Sequence, residues 1–405
     1  MHRPSYRLAA PVLAGVILLA VGATGASGST SSAVKAHSSK PTYTIAYEGP
    51  LSGGNAQLGL NMQYAVELAV NNADAGKTFG TLPFKLKFLA ADDGGSATES
   101  PTTAAQLIND GGVIAVVGPS FSGATKAAEP AFSSADLATV SPSATAPALA
   151  TEGWNNFFRV VADDNGQGPA DAEYVAKVLK DKSVYTVDDA SAYASGLIGA
   201  FDAKASSLKL TVTHQTAPGT TQCMAGTGDV TEYGALSTQI KQSGDPIVFY
   251  AGYYCDFSLL AKQLRTAGYT GQLMSDDGSL DPHYVSEAGA PVADGTLLSC
   301  ACADLTKGGE AGTFATQFKK LAKFPVGTYS AEAYDAANTI IDVMKGIGAH
   351  VTRGKVVSGL HKVTYVGLTK TVHFQSDGDI KGTAVYMYKV KSGNIVVIGL
   401  ISKLI

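Results

Sequence analysis

Val113–Val117 reads VIAVV, and Gly118-Pro119-Ser120-Phe121-Ser122-Gly123-Ala124-Thr125 follows at once. An unbroken apolar run of this length suits a parallel strand buried on both faces. The next residues open a helix over 123–133, so strand passes to helix through a short polar link. The same unit recurs upstream. Residues 44–47 (TIAY) form a strand, and residues 61–71 carry Met62, Val66, Ala69 and Val70 at helical spacing. Residues 84–90 form a strand and 101–109 a helix, with Ser100 or Thr98 as candidate cap. Downstream, 138–140 is a short strand.

A second series follows. Helices are expected at 171–179, 197–206, 233–242 and 257–266. Strands are expected at 184–187, 208–213, 247–250 (IVFY) and 272–274. Later come helices at 314–322 and 332–345, then strands at 370–374, 384–390 and 395–400, the last two joined by a turn at Lys391-Ser392-Gly393-Asn394. Repeated βα units with short links indicate α/β architecture with doubly wound parallel sheets. The strands are too many for one compact sheet, so two lobes are expected.

Size and charge narrow the function. The chain has 405 residues, 45% of them hydrophobic, which provides for sizeable cores and excludes a wholly disordered chain. Thirty basic residues against 34 acidic ones give a net charge of −4, which argues against a nucleic-acid partner held through phosphates. At the N-terminus, His2, Arg3 and Arg7 precede an apolar run over 8–21, and small residues follow to Gly28. This pattern is that of a secretory signal peptide over 1–28, since the apolar run is shorter than the about 20 residues that span a bilayer. An uncleaved anchor is the alternative. Residues 29–41 are Ser-rich at the start and read as a flexible tether. Export and four cysteines, Cys223, Cys255, Cys300 and Cys302, suggest two disulfides, with three connectivities open. Cys300 and Cys302 lie only two apart, so each is expected to pair with Cys223 or Cys255. Zinc is the rival reading, but no CxxC spacing occurs.

Catalytic and cofactor signals are missing. Gly76-Lys77-Thr78 has Asn71 where a phosphate loop needs glycine, and Gly226-Thr227-Gly228 lacks the third glycine of a dinucleotide loop. There is no GxSxG and no HExxH, and the seven histidines are scattered. Asp92-Asp93 reads as a polar turn and helix-capping group. No catalytic residue, metal or cofactor is expected.

What remains is polar chemistry beyond the carboxyl ends of strands, where open α/β sheets bind ligands. Ser122 stands at a helix start, where free amides and a hydroxyl suit a carboxylate; an N-cap role is the plainer alternative. Ser143 and Thr145 lie in a link made rigid by Pro142 and Pro147. Tyr193, Tyr253 and Tyr254 follow strands of the second series, as do Asp276 and Asp277. An anion pocket in one lobe facing tyrosines and an acid in the other suits a small zwitterion.

The order and spacing of several segments carry a family resemblance. They are Pro50-Leu51-Ser52-Gly53, the link 141–147 (SPSATAP), Asn165-Gly166-Gln167-Gly168-Pro169, Tyr250-Ala251-Gly252-Tyr253, Arg265-Thr266-Ala267-Gly268, and Tyr329 with Tyr334-Asp335-Ala336. From about Tyr43 onward the chain resembles the leucine/isoleucine/valine-binding proteins, the type I periplasmic solute-binding proteins of ABC importers. The resemblance implies two lobes joined by three hinge crossovers, with 42–160 and 303–366 in lobe 1 and 161–302 and 367–405 in lobe 2. It implies a monomer that binds a small amino acid, branched-chain by analogy, and delivers it to permease subunits outside the cytoplasm, either extracellularly or at the cell envelope. It places Ser122 on the ligand carboxylate, Ser143, Ala144 and Thr145 on a gripping loop, Tyr193 and Tyr253 over the ligand, Asp277 on the ammonium, Leu58 in place of an aromatic residue, and Tyr329 at the mouth. A sensing receptor of the same fold, or a binder of a small amide, urea or another carboxylate, is the alternative. An amidase or esterase is disfavoured, because Ser122 has no identifiable histidine partner.

Overall fold

The computed structural model describes residues 39–219, 223, 233–304, 309–382 and 384–405. The expected signal peptide, nearly all of the tether and the Gly226-Thr227-Gly228 loop lie outside these residues. The chain begins with β1 (Thr42–Gly49), α1 (Ala56–Asp74), β2 (Lys85–Asp92), α2 (Ser100–Asn109), β3 (Val113–Val117), α3 (Ser122–Ser134), β4 (Ala138–Ser141) and β5 (Phe157–Arg159). These five strands form one wholly parallel sheet in the order β2-β1-β3-β4-β5. Side chains alternate across it. Ala46 and Val116 pack with Ala104 of α2 and Phe132 of α3, whereas Ile45 and Val117 pack in the cluster that holds α1. Both faces are covered, so β3 is buried at every position, as its sequence requires.

The chain then builds a second sheet from α4 (Asp164–Tyr174), β6 (Ser183–Asp188), α5 (Ala192–Ser207), β7 (Thr211–Thr216), α6 (Gly234–Ser243), β8 (Ile247–Ala251), α7 (Tyr254–Thr266), β9 (Gln272–Ser275), α8 (Pro282–Ala288), α9 (Ala290–Ala293) and β10 (Leu297–Cys300). It returns with α10 (Glu310–Ala322), α11 (Ser330–Ile347), α12 (Arg353–Leu360) and the small ribbon β11 (Tyr365–Val366) and β12 (Thr371–Val372). It ends with β13 (Tyr386–Lys391) and β14 (Asn394–Leu400). The second sheet runs β14-β13-β10-β9-β8-β6-β7. It is parallel from β7 to β10, but β13 and β14 are antiparallel and form the expected hairpin, with Ser392 and Gly393 both at positive φ in its turn. The chain therefore passes between sheets three times: after β5, after β10 and before β13.

Several expectations are corrected. Helix α4 starts seven residues before the expected 171, through Gly166, Gly168 and Pro169. Tertiary packing overrides propensity here: a Cβ on Gly168 would stand 2.7 Å from the Phe201 amide of α5, so the glycine allows two helices to touch. Strand β7 begins at 211 and not 208, because Lys209 turns the chain in the left-handed region (φ 62°) after α5. Strands β5 and β10 and helices α8 and α12 are short, and sequence patterning does not signal them. Neither Ser100 nor Thr98 caps α2; the Ser100 hydroxyl is taken by Glu48 at 2.6 Å. Residues 367–380, expected in lobe 2, are tied to the first sheet's side. Asp335 of α11 accepts from the Leu368 and Thr369 amides, and Arg159 at the end of β5 pairs with Asp379.

The disulfides also differ from expectation. Cys223 pairs with Cys255, and Cys300 pairs with Cys302. The chain bends as β10 ends, which brings the Cα atoms of Cys300 and Cys302 to 5.1 Å, inside the ordinary range for a bridge. Among the described residues, no helix is long and apolar enough to cross a membrane, and no His/Cys/Asp/Glu group could hold a metal ion.

Candidate ligand-binding site

The two sheets point carboxyl ends of strands at a shared cleft. From the first come Ser120, Phe121 and Ser122 after β3, and Ser143 after β4. From the second come Tyr193 after β6, Tyr253 after β8, and Asp277 with Gly278 after β9. Helix α1 adds Leu58 and Met62, and Tyr329 heads α11. Together they line a small space between the two walls. All the expected residues except Ala144 and Thr145 line it. Met62, Ser120, Phe121 and Gly278 are additions. Met62 carried a signal already, since it lies one helical turn beyond Leu58 on the same face of α1.

The first wall offers hydroxyls and amides. Ser122 is the first residue of α3, and Phe121, not Ser122, is its N-cap. The Ser122 Oγ accepts from the Ala146 amide at 3.2 Å, which leaves its O–H to donate outward. The first amides of α3 have no intrahelical acceptor, and the helix dipole adds partial positive charge there. Ser143 donates to the Ser120 carbonyl at 2.7 Å, and Ser120 donates to the Tyr47 hydroxyl at 2.9 Å. Their oxygens remain available as acceptors.

Ala144 and Thr145 are buried behind this wall. The Ala144 amide donates to Ser141 Oγ, and its carbonyl accepts from the Arg159 guanidinium at 3.2 Å. Arg159, fully buried, also binds the Ala146 carbonyl, so it holds the link from the side away from the cleft. The Thr145 carbonyl accepts from the Asp164 amide. This anchoring role of Arg159 has no sequence signal beyond a lone basic residue after a short apolar run.

The second wall is acidic. Asp277 Oδ1 accepts from the Tyr193 hydroxyl and from Gln167 Nε2, each at 2.8 Å. The Tyr329 phenol lies beside the same carboxylate without the geometry of a hydrogen bond. Burial pushes the Asp277 carboxyl above the usual range, against the pull of those donors. Asp276, Asp164 and Asp171 are pushed up as well, first by burial and then by charge repulsion that includes Asp277. Among the described residues, no lysine, arginine or histidine lines the cavity. The site thus has an uncompensated carboxylate at one end and hydrogen-bond donors at the other.

The walls also touch directly. Asn61 of α1 donates to Asp281 at 3.2 Å, the Cys255 amide donates to Asn55 Oδ1 at 3.3 Å, and Thr328 donates to the Leu280 carbonyl. These contacts hold the two walls against each other.

The profile of the Periplasmic binding protein family matches residues 42–394, most of the chain. The chain belongs to the periplasmic binding protein family. It is 29% identical over 357 residues to Leu/Ile/Val-binding protein homolog 3 of Brucella melitensis, covering 87% of this chain and 92% of that one. Its fold is similar to that of the leucine-binding protein LivK of Thermotoga maritima (TM-score 0.78, 23% identity, 88% and 98% covered). It is equally similar to LivJ of Streptococcus pneumoniae, solved with isoleucine (TM-score 0.78, 24% identity, 88% and 99% covered). As a member of this family the chain is a solute-binding protein and not an enzyme.

Proposed function

We propose that this protein is the extracytoplasmic solute-binding component of an ABC importer and carries a small amino acid, of the branched-chain class, in its interlobe cleft. The observation that supports this reading most is Asp277: a buried carboxylate with two neutral donors and, among the described residues, no cationic residue on the cavity wall, facing the Ser122 end of α3. A buried charge needs a partner. An ammonium supplies it at Asp277, and the same solute's carboxylate meets the Ser122 hydroxyl and the free amides of α3. Leu58 and Met62 give an aliphatic side chain an apolar bed. Lobe closure excludes water and strengthens both polar contacts.

In this reading the protein is exported, works as a monomer, and presents its closed form to permease subunits at the membrane. Isothermal calorimetry against the twenty amino acids tests it. Binding of leucine, isoleucine or valine, with simple carboxylates and amines far weaker, is the expected result. Folded protein that binds none of the twenty rejects the proposal.

A further inference from the structure

Two rings from opposite walls meet face to face across the cleft. Phe121 is the N-cap of α3 and Tyr253 the N-cap of α7; their centroids are 4.2 Å apart and their planes lie within 18°. On one side of this pair is the small space lined by Leu58, Met62 and Asp277. On the other the cleft widens into a much larger space bordered by Ser96, Lys126, Asp189 and Asp256. Phe121 and Tyr253 line both spaces. The stacked pair is the partition between them.

Phe121 is fixed in this position. It is only 8% exposed, and its ring rests on the main chain of Gly95. A Cβ at Gly95 would stand 2.7 Å from the ring, and its φ of +70° lies in the left-handed region that favours glycine. Tyr253 is braced from the other side by Tyr193, with centroids 5.5 Å apart. The pair is apolar on both faces, so a solute that crosses it must part the rings.

We propose that Phe121 sets the upper size of the solute: the stacked pair stops an aliphatic side chain in the inner cavity and rejects an aromatic side chain or a second peptide residue. The inference rests on the amino-acid reading above. The large outer space then serves passage into the cleft and is not part of the bound-state pocket. Removing the Phe121 ring joins the two spaces and leaves room for a longer substituent.

The test is calorimetry of the full chain with L-leucine, L-phenylalanine and leucyl-glycine as probes, on the wild type, Phe121→Ala and Phe121→Leu. The wild type is expected to prefer leucine over phenylalanine by about 10–200-fold, the discrimination an apolar wall gives. Phe121→Ala is expected to bring that ratio within about fivefold, with tighter phenylalanine binding than the wild type and measurable leucyl-glycine binding. Phe121→Leu keeps an apolar wall without the stack and falls between the two. Leucine binding with a ratio unchanged in both variants overturns this inference and leaves the amino-acid reading standing. A wild type that binds no amino acid overturns both.

Discussion

On the first wall of the cleft, β3 passes to α3 through Ser120, Phe121 and Ser122, and every polar group there is neutral. On the second, β9 passes directly to Asp276 and Asp277, and Tyr193 and Tyr253 follow β6 and β8. Both walls use the same unit, a parallel strand whose carboxyl end opens on the cleft. What differs is how charge is handled. The first lobe also buries acids, but it places them below the cleft with partners: Glu48 accepts from Ser100, and Glu129 accepts from Thr139 and from Asn156 at 2.9 Å. The second lobe brings Asp277, likewise held by neutral donors, to the cavity wall itself. An asymmetric cleft of this kind orients a zwitterion, since each end of the solute has one wall that accepts it.

The largest expected effect comes from removing the charge that makes the walls unlike. Asp277→Ala should weaken amino-acid binding by about 2–5 kcal/mol, because the solute's ammonium is left buried and unpaired. Calorimetry measures it, and a change below a few-fold would mean that no ammonium sits there. On the neutral wall, Ser122→Ala removes one donor to a charged group while the α3 amides remain. The expected loss is about 1.5–3 kcal/mol, smaller than for Asp277. An equal or larger loss would reverse the assignment of the walls.

The unliganded protein should also respond to pH in a defined direction. Burial pushes Asp189 up to about 6, Asp93 to about 7, Glu129 to about 8 and Glu48 to about 9. Between the usual carboxylate value of about 4 and these values, the folded protein holds protons that the unfolded chain has released, so stability falls as pH rises through this range. The melting temperature without solute should therefore be higher at pH 5 than at pH 8. Bound amino acid favours ionised Asp277, so it should stabilise the protein more at pH 8 than at pH 5. A melting temperature that rises with pH in the unliganded chain would contradict the buried-acid account. The smallest effect is expected at Thr145, which lies behind the first wall. Thr145→Val should change affinity by less than about threefold, or about 0.7 kcal/mol; a tenfold loss would put this residue on the ligand after all.

The legible parts of this chain are those where local pattern and tertiary role coincide. VIAVV is a buried strand because a five-residue apolar run has no exposed face to offer. Leu58, Tyr193, Tyr253 and Asp277 could be picked out from their places after strands and from the family resemblance. Phe121 gave no such signal, because a ring after a strand is as suited to a core as to a cleft. Ala144 and Thr145 occupied the expected link, but only the path of Arg159 beneath it shows that their main chain turns away from the cavity. Cys300 and Cys302 pair only because the chain bends after β10, a feature that two-residue spacing does not encode.

The sequence alone determined the alternation of strand and helix and the chemical kinds that stand at the strand ends, since these depend on residue type and spacing over a few positions. Tertiary structure decided which of those groups share one cavity, which disulfides form, where the third crossing falls, and that two rings divide the cleft. Those outcomes depend on contacts between segments far apart in the chain, such as Asn61 with Asp281 and Arg159 with Asp379, each 220 residues apart, and local pattern does not encode their distances.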